Sequence, residues 1–204
     1  MKRYLISLTI CFSSCGPSYD KKDFEFNVLE LSHFGDYQIG DTIYFESNFG
    51  DVDTITIVNF ETERIEGSWG IIARAPSNYR LMTIRHLPID KWHGTSRDMA
   101  TGGKVEIVYQ GLFSISKHPL NRRVDNNFEF KDFYSSTSSF SEQLNNDTVT
   151  LNSFSFSDFY QLAPFYPERI VSPENIESIY WTDKYGLTAY KNKGGEIWTI
   201  KAKR

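Results

Sequence analysis

The feature that most constrains this chain is a repeated alternation of polar and apolar residues with a period of two. Asp53-Thr-Ile-Thr-Ile-Val58 sets Ile55 and Ile57 on one face, Lys104-Val-Glu-Ile-Val-Tyr109 sets Val105, Ile107 and Tyr109 on one face, and Ser153-Phe-Ser-Phe-Ser157 repeats the pattern. Successive strand side chains point to opposite faces, so each run predicts a strand with one buried face. Long amphipathic helical periodicity is missing.

Composition points the same way, because 16 Phe, 12 Tyr and 4 Trp accompany many Thr, Ser and Asn. These residues suit pleated surfaces. Turn signals separate the runs: Gly40-Asp41 before Thr42 to Glu46, Asn48-Phe-Gly-Asp51 before the next strand, and Asn145-Asn-Asp147 before Thr148 to Leu151. The hairpin from Thr42 to Val58 is the firmest local expectation. Short helices are expected at Leu87–Trp92, at Ser157–Leu162 before Pro164, and at Pro173–Glu177. Gly94 to Gly103 reads as a loop, and 134–142, YSSTSSFSE, equally as a loop or a polar edge strand. The expected fold is therefore mainly β: one antiparallel meander domain, curled as an open barrel or folded as a sandwich, with a few short helical turns. A closed barrel holding an apolar ligand is the runner-up.

The first residues form three zones. Met1-Lys2-Arg3 is basic, Leu5 to Phe12 is apolar apart from Ser7 and Thr9, and Phe12-Ser13-Ser14-Cys15 ends in small residues. This is the order of a secretory signal, and the apolar run is too short to span a membrane, which takes about 20 residues. The segment FSSCG resembles the lipobox of bacterial lipoproteins. That resemblance implies cleavage before Cys15, a lipid on Cys15 as the membrane anchor, and, with Gly16 next, an outer-membrane address. Residues 1–14 are then signal peptide, 15–23 lipidated cysteine and polar tether, and 24–204 a single β-rich domain. Cys11 leaves with the signal and Cys15 carries lipid, so the domain has no thiol for disulfides, metal or catalysis. Without Lys2 and Arg3 the chain has 20 basic against 26 acidic residues, which makes nucleic acid and anionic lipid headgroups poor partners.

The C-terminal run IYWTDKYGLTAYKNKGGEIWTIK, Ile179 to Lys201, carries a second resemblance. It is similar to a closing element of small uncharacterised lipoproteins of the Bacteroidota. The resemblance implies an aromatic strand, a turn at Asp183 to Gly186, a strand from Leu187 to Tyr190, Gly194-Gly195 and a last strand holding Trp198. It marks a fold and brings no catalytic residue with it.

Motifs for chemistry are few. His33, His86, His93 and His118 lack the spacing of a metal-binding helix, and no G-x-S-x-G elbow, phosphate loop or EF-hand occurs. No cofactor and no metal are expected. Asp51-Val-Asp53 reads as a solvated hairpin turn, and Glu61, Glu63 and Glu66 as an acidic strand edge that discourages edge pairing. Trp69, Trp92, Trp181 and Trp198 are candidates for stacking on sugars, with Trp181 and Trp198 better explained as core. Trp92 with His93, before the glycine-rich stretch, is the best exposed ligand-binding candidate. Asp41-Thr-Ile, Asp53-Thr-Ile and Asp147-Thr-Val resemble the triplet at which Bacteroidota attach O-linked glycans, which makes Thr42, Thr54 and Thr148 candidate acceptors. A turn followed by a β-branched strand start explains the same triplets equally well.

The expected function is a lipid-anchored cell-envelope binding or interaction module, engaging an envelope protein, a glycan or a toxin. The alternatives are an envelope hydrolase built on carboxylates or a histidine, and a lipid carrier. If Cys15 is the anchor, Cys15→Ala leaves the protein soluble in the periplasm or still joined to its signal. Membrane fractionation checks this, and retention of the signal-free variant in the membrane overturns the lipoprotein reading.

Overall fold

The computed structural model describes residues 25–65, 77–86, 94–97, 104–107, 109–118, 123–138 and 144–204. Two antiparallel runs dominate. The first comprises β1 (Thr42–Ser47), β2 (Val52–Ile65), β3 (Ser77–His86), β6 (Tyr109–His118), β7 (Arg123–Phe130) and β8 (Phe133–Thr137). A separate hairpin of β4 (Gly94–Arg97) and β5 (Lys104–Ile107) lies between β3 and β6 in the chain. The second run holds β12 (Phe159–Leu162), β13 (Ile176–Thr182), β14 (Gly186–Asn192) and β15 (Ile197–Lys203), edged by the two-residue β9 (Leu144–Asn145). Pairing of β1 with β15 joins the runs into one sheet of eleven strands, ordered β8-β7-β6-β3-β2-β1-β15-β14-β13-β12-β9.

The alternation read in the sequence decides which face is inside. Ile43 and Phe45 on β1, and Ile55 and Ile57 on β2, all lie at 0% exposure. The sheet curls around them as an open half-barrel, as twist requires of so long a meander. Its two walls meet through rings: Phe113 and Phe128 each lie 5.2 Å from Trp181, and Phe130 lies 5.1 Å from Tyr190. Burying one such ring contributes about 2–3 kcal/mol. A bulge at Val58, between Ile57 and Asn59, re-aims β2 so that Phe60 turns toward the core. Glu61 and Glu63 beyond it are exposed, as an acidic edge should be, and Glu66 lies outside the described residues.

One end of the curl is covered by an N-terminal strap. It starts with α1 (Val28–Ser32), closed by a capping box in which Asn27 and Glu30 satisfy each other's backbone. Phe34 then packs on Phe113 at 4.6 Å, and Trp181 Nε1 donates to the His33 carbonyl at 2.8 Å. The Leu187 N–H donates to Tyr37 Oη at 2.9 Å. On the opposite, outer face of the sheet, a hairpin of β10 (Val149–Leu151) and β11 (Phe154–Phe156) covers Tyr180 and Ala189, so β13 and β14 are buried on both sides.

Several sequence expectations need correction. Ser157–Leu162 is not a helix: Phe159 to Leu162 form β12, because Phe159 packs under the outer hairpin while Tyr160 and Leu162 face the main core. Pro173–Glu177 is a turn leading into β13, and the short 3-10 turn falls earlier, at Pro167–Arg169. Gly94–Arg97 is strand rather than loop, held by Lys104–Ile107. Lys104 to Tyr109 is not one strand, since β5 and β6 belong to different sheets and Tyr109 is exposed. The 134–142 run begins as the edge strand β8. Leu87–Trp92 lies outside the described residues. No described helix is long and apolar enough to cross a membrane.

Gly186 is where the strap requires glycine. Its φ is +67°, and a Cβ there would meet the Tyr37 ring at 2.1 Å. Gly186→Ala should therefore lower the unfolding free energy by at least about 2 kcal/mol, read as a reduced urea midpoint.

Candidate functional site

Cys15, Trp69, Trp92 and His93 lie outside the described residues. Trp181 and Trp198 are core residues. The three described histidines are apart and separately engaged: His33 Nδ1 with Asp183 at 2.9 Å, His86 Nε2 with Gln110 at 2.9 Å, and His118 with Asp125 at 3.6 Å. Thr148 is exposed just before β10, whereas Thr42 and Thr54 are half-buried on the outer face of the β1–β2 hairpin. Thr42 Oγ1 lies 3.3 Å from Thr56 Oγ1. Among the described residues no group of three or more His, Cys, Asp or Glu could hold a metal ion.

Asp53 overturns the reading of a solvated pair with Asp51. It shares the strand face of Ile55 and Ile57, is 0% exposed, and lies 2.6 Å from Lys131 Nζ. Tyr190 Oη donates to the same carboxylate oxygen at 2.5 Å, and Lys131 Nζ also donates to Tyr190 Oη at 3.1 Å. The rings of Phe130, Tyr190 and Trp198 lie 4.9–5.5 Å from the ammonium. Burial first, then the Asp53 charge, pushes the Tyr190 hydroxyl well above its usual range, so it acts as a donor.

Lys131 reaches this position from the β7–β8 turn at a φ of +55°, a left-handed conformation unusual for a side chain of this size. Gln110 holds the turn in place. Its Oε1 accepts from the Lys131 N–H at 2.8 Å and from His86, while its Nε2 donates to the Lys131 carbonyl at 2.9 Å. Burial is the main reason the His86 imidazole is depressed below its ordinary value. The Gln110 bond and the Asp53 charge oppose the shift and Lys131 adds to it.

The next residue, Asp132, faces outward into a different environment. Asn175 Nδ2 donates to its carboxylate, and both line a groove of about 300 Å³ where the two walls of the sheet approach. The Phe165 N–H donates to the Tyr134 carbonyl at 2.7 Å and ties the β8 edge to the segment after β12. Phe165 and Tyr166 stand between Pro164 and Pro167, where no strand can bury them. They stay 53% and 40% exposed, and Tyr134 stays 39% exposed. Ring centroids separate Tyr134 from Phe165 by 5.9 Å and Phe165 from Tyr166 by 4.8 Å. The Arg169 guanidinium lies over Tyr166 at 4.2 Å. The groove thus sets the Tyr134 and Tyr166 rings beside the Arg169 guanidinium and the Asp132 carboxylate, which Asn175 holds while its own Oδ1 accepts from the Val171 and Ser172 N–H groups. Such a combination suits the apolar face of a ring-shaped ligand carrying hydroxyls.

Two other hollows have no exposed pair of facing rings. One, about 510 Å³, lies between the β1–β2 turn and the β10–β11 turn, and its amides Asn48 and Asn152 are engaged with the backbone of Ile197. A third, about 460 Å³, contains two acids, Asp158 and Asp183. Asp183 is already engaged by His33 and by Tyr160 Oη at 3.4 Å, and Asp158 accepts from Ser157 at 3.0 Å. Asp183 there braces the strap.

Comparison with models of known protein families, with curated proteins and with solved structures returns no match.

His86 sets a pH dependence. Its folded value lies below the ordinary 6.5, so below about pH 6.5 the unfolded chain binds a proton that the folded chain resists. Stability from this residue is complete above that pH and is lost on acidification, by at most about 1.4 kcal/mol per pH unit. His86→Gln should flatten the decline in urea midpoint between pH 7 and pH 5.

Proposed function

We propose that this chain is a lipid-anchored cell-envelope binding module whose ligand surface is the groove at the seam of the half-barrel, and that its ligand is a glycan. The observation that carries the reading is the pair of exposed groove rings, Tyr134 and Tyr166, beside Asp132 and Arg169, with exposed Phe165 in contact with both rings at the groove's rim. Exposed contiguous aromatic surface is costly to leave in water unless something covers it. The flanking polar groups favour a hydroxylated ligand over a purely apolar one. The envelope address rests on the resemblance of FSSCG to a lipobox.

A lipid carrier finds less support, because the inside of the curl is occupied by Phe45, Phe113, Phe128, Phe130, Trp181 and Tyr190, each at 1% exposure or less. The hydrolase alternative keeps one observation, the shared hollow of Asp158 and Asp183. Against it stands the engagement of Asp183 with His33 and Tyr160.

Replacing Tyr134 and Tyr166 together by Ala should weaken glycan binding at least about tenfold while the fold persists, since both side chains are partly exposed. Titration of the full chain and this variant with neutral and acidic oligosaccharides checks the expectation. Equal affinity of the two proteins overturns the groove as the site. Recovery by in-cell crosslinking of one protein in near-equal amount, lost in the same variant, would replace the glycan by a protein ligand.

A further inference from the structure

Asp53 on β2 and Lys131 in the β7–β8 turn are separated in the sheet by β3 and β6, yet their side chains are almost fully enclosed, at 0% and 10% exposure, with Nζ and Oδ2 2.6 Å apart. Both the ammonium and the Tyr190 hydroxyl approach Oδ2, and Oδ1 has no hydrogen-bond partner among the described residues. An amine and a carboxyl held in contact, walled by rings and bridged by a hydroxyl that touches both, have the starting geometry of a condensation. We propose that Lys131 Nζ and Asp53 Cγ join in an amide, a covalent bridge between β2 and the β7–β8 turn.

The step balances with no added reagent. A proton passes from Nζ to Oδ2, giving an amine beside a carboxylic acid. Nζ attacks Cγ and forms the C–N bond. Tyr190 Oη, within 3.1 Å of Nζ and 2.5 Å of Oδ2, takes a proton from the nitrogen side and returns one to the oxygen side. The Cγ–Oδ2 bond breaks and Oδ2 leaves as water. Oδ1 remains as the amide carbonyl, and nothing is oxidised or reduced. Tyr190 is able to return that proton because burial keeps its hydroxyl protonated.

Two physical advantages follow for the product. A neutral amide removes the desolvation penalty of two buried ions, which a salt bridge only partly offsets. It also supplies a covalent staple to a domain in which no cysteine follows Cys15.

The test is peptide mass spectrometry of the purified full-length chain, denatured and digested with trypsin. Trypsin does not cleave after an acylated lysine. The expected product is therefore residues 23–64 joined to 124–169, lighter than the two segments together by one water. Recovery of 23–64 as a free peptide, with cleavage after Lys131, overturns the proposal. Lys131→Arg should abolish the joined species, and its persistence would also overturn the assignment. Tyr190→Phe keeps the ring and removes the hydroxyl, so the joined species should fall to a trace; full joining in that variant would overturn the relay through Tyr190.

Discussion

The indole of Trp181 is the contact on which the three parts of this fold depend. Its ring meets Phe113 and Phe128 from the far wall of the sheet, lies 6.3 Å from Tyr37 of the strap, and donates its only N–H to the His33 carbonyl. A single side chain thereby fixes how tightly the sheet curls and where the strap enters. An indole suits that role because its large apolar surface can be buried while its one polar atom is satisfied from the edge. The strap in turn places His33 against Asp183, so the turn between β13 and β14 is set by the same contact.

At the other end of the curl the organising element is polar. Asp53, Lys131 and Tyr190 form a compact buried group whose charges are opposed and whose donors are directed inward. Lys131 and Asp132 are adjacent, one turned into the core and the other into the seam groove. The interior group therefore anchors the turn that carries Asp132, one side of the groove. Preorganisation of this kind would lower the cost of filling the groove, because little ordering is left to do.

Much of the fold was legible because the inward face of the sheet is written in alternation. Ile55, Ile57 and Phe156 lie on the buried faces that parity gives them, and β13 to β15 follow the strand–turn–strand order that the resemblance of Ile179 to Lys201 implies. Asp53 was not read correctly, although parity placed it with Ile55 and Ile57: a carboxylate on a core face signals a buried cation. No local pattern could name Lys131 as that cation, since it arrives from a turn that lies beyond β3 and β6 in the sheet. The helix expected at Ser157–Leu162 failed because a serine and a following proline frame a short strand as well as a short helix, and burial on both faces decided for strand. The groove residues were missed for a different reason. Their signal, two aromatics between prolines in APFYPE, lies in irregular chain rather than in a periodic run.

The position of β15 in the sheet has a consequence for how such a chain reaches its folded state. β15 lies between β1 and β14, so β1, the first strand of the sheet in chain order, has its second edge paired only by the strand that comes last. Until those residues are present, Ile43 and Phe45 have no complete wall against which to bury. Loop closure on this scale is slow, and it leaves partly assembled sheet edges open in the meantime. A chain made from its N-terminus thus keeps one edge of β1 open until β15 is present. The two runs of strands join only then, so growth of the chain and closure of the sheet are successive events rather than competing ones.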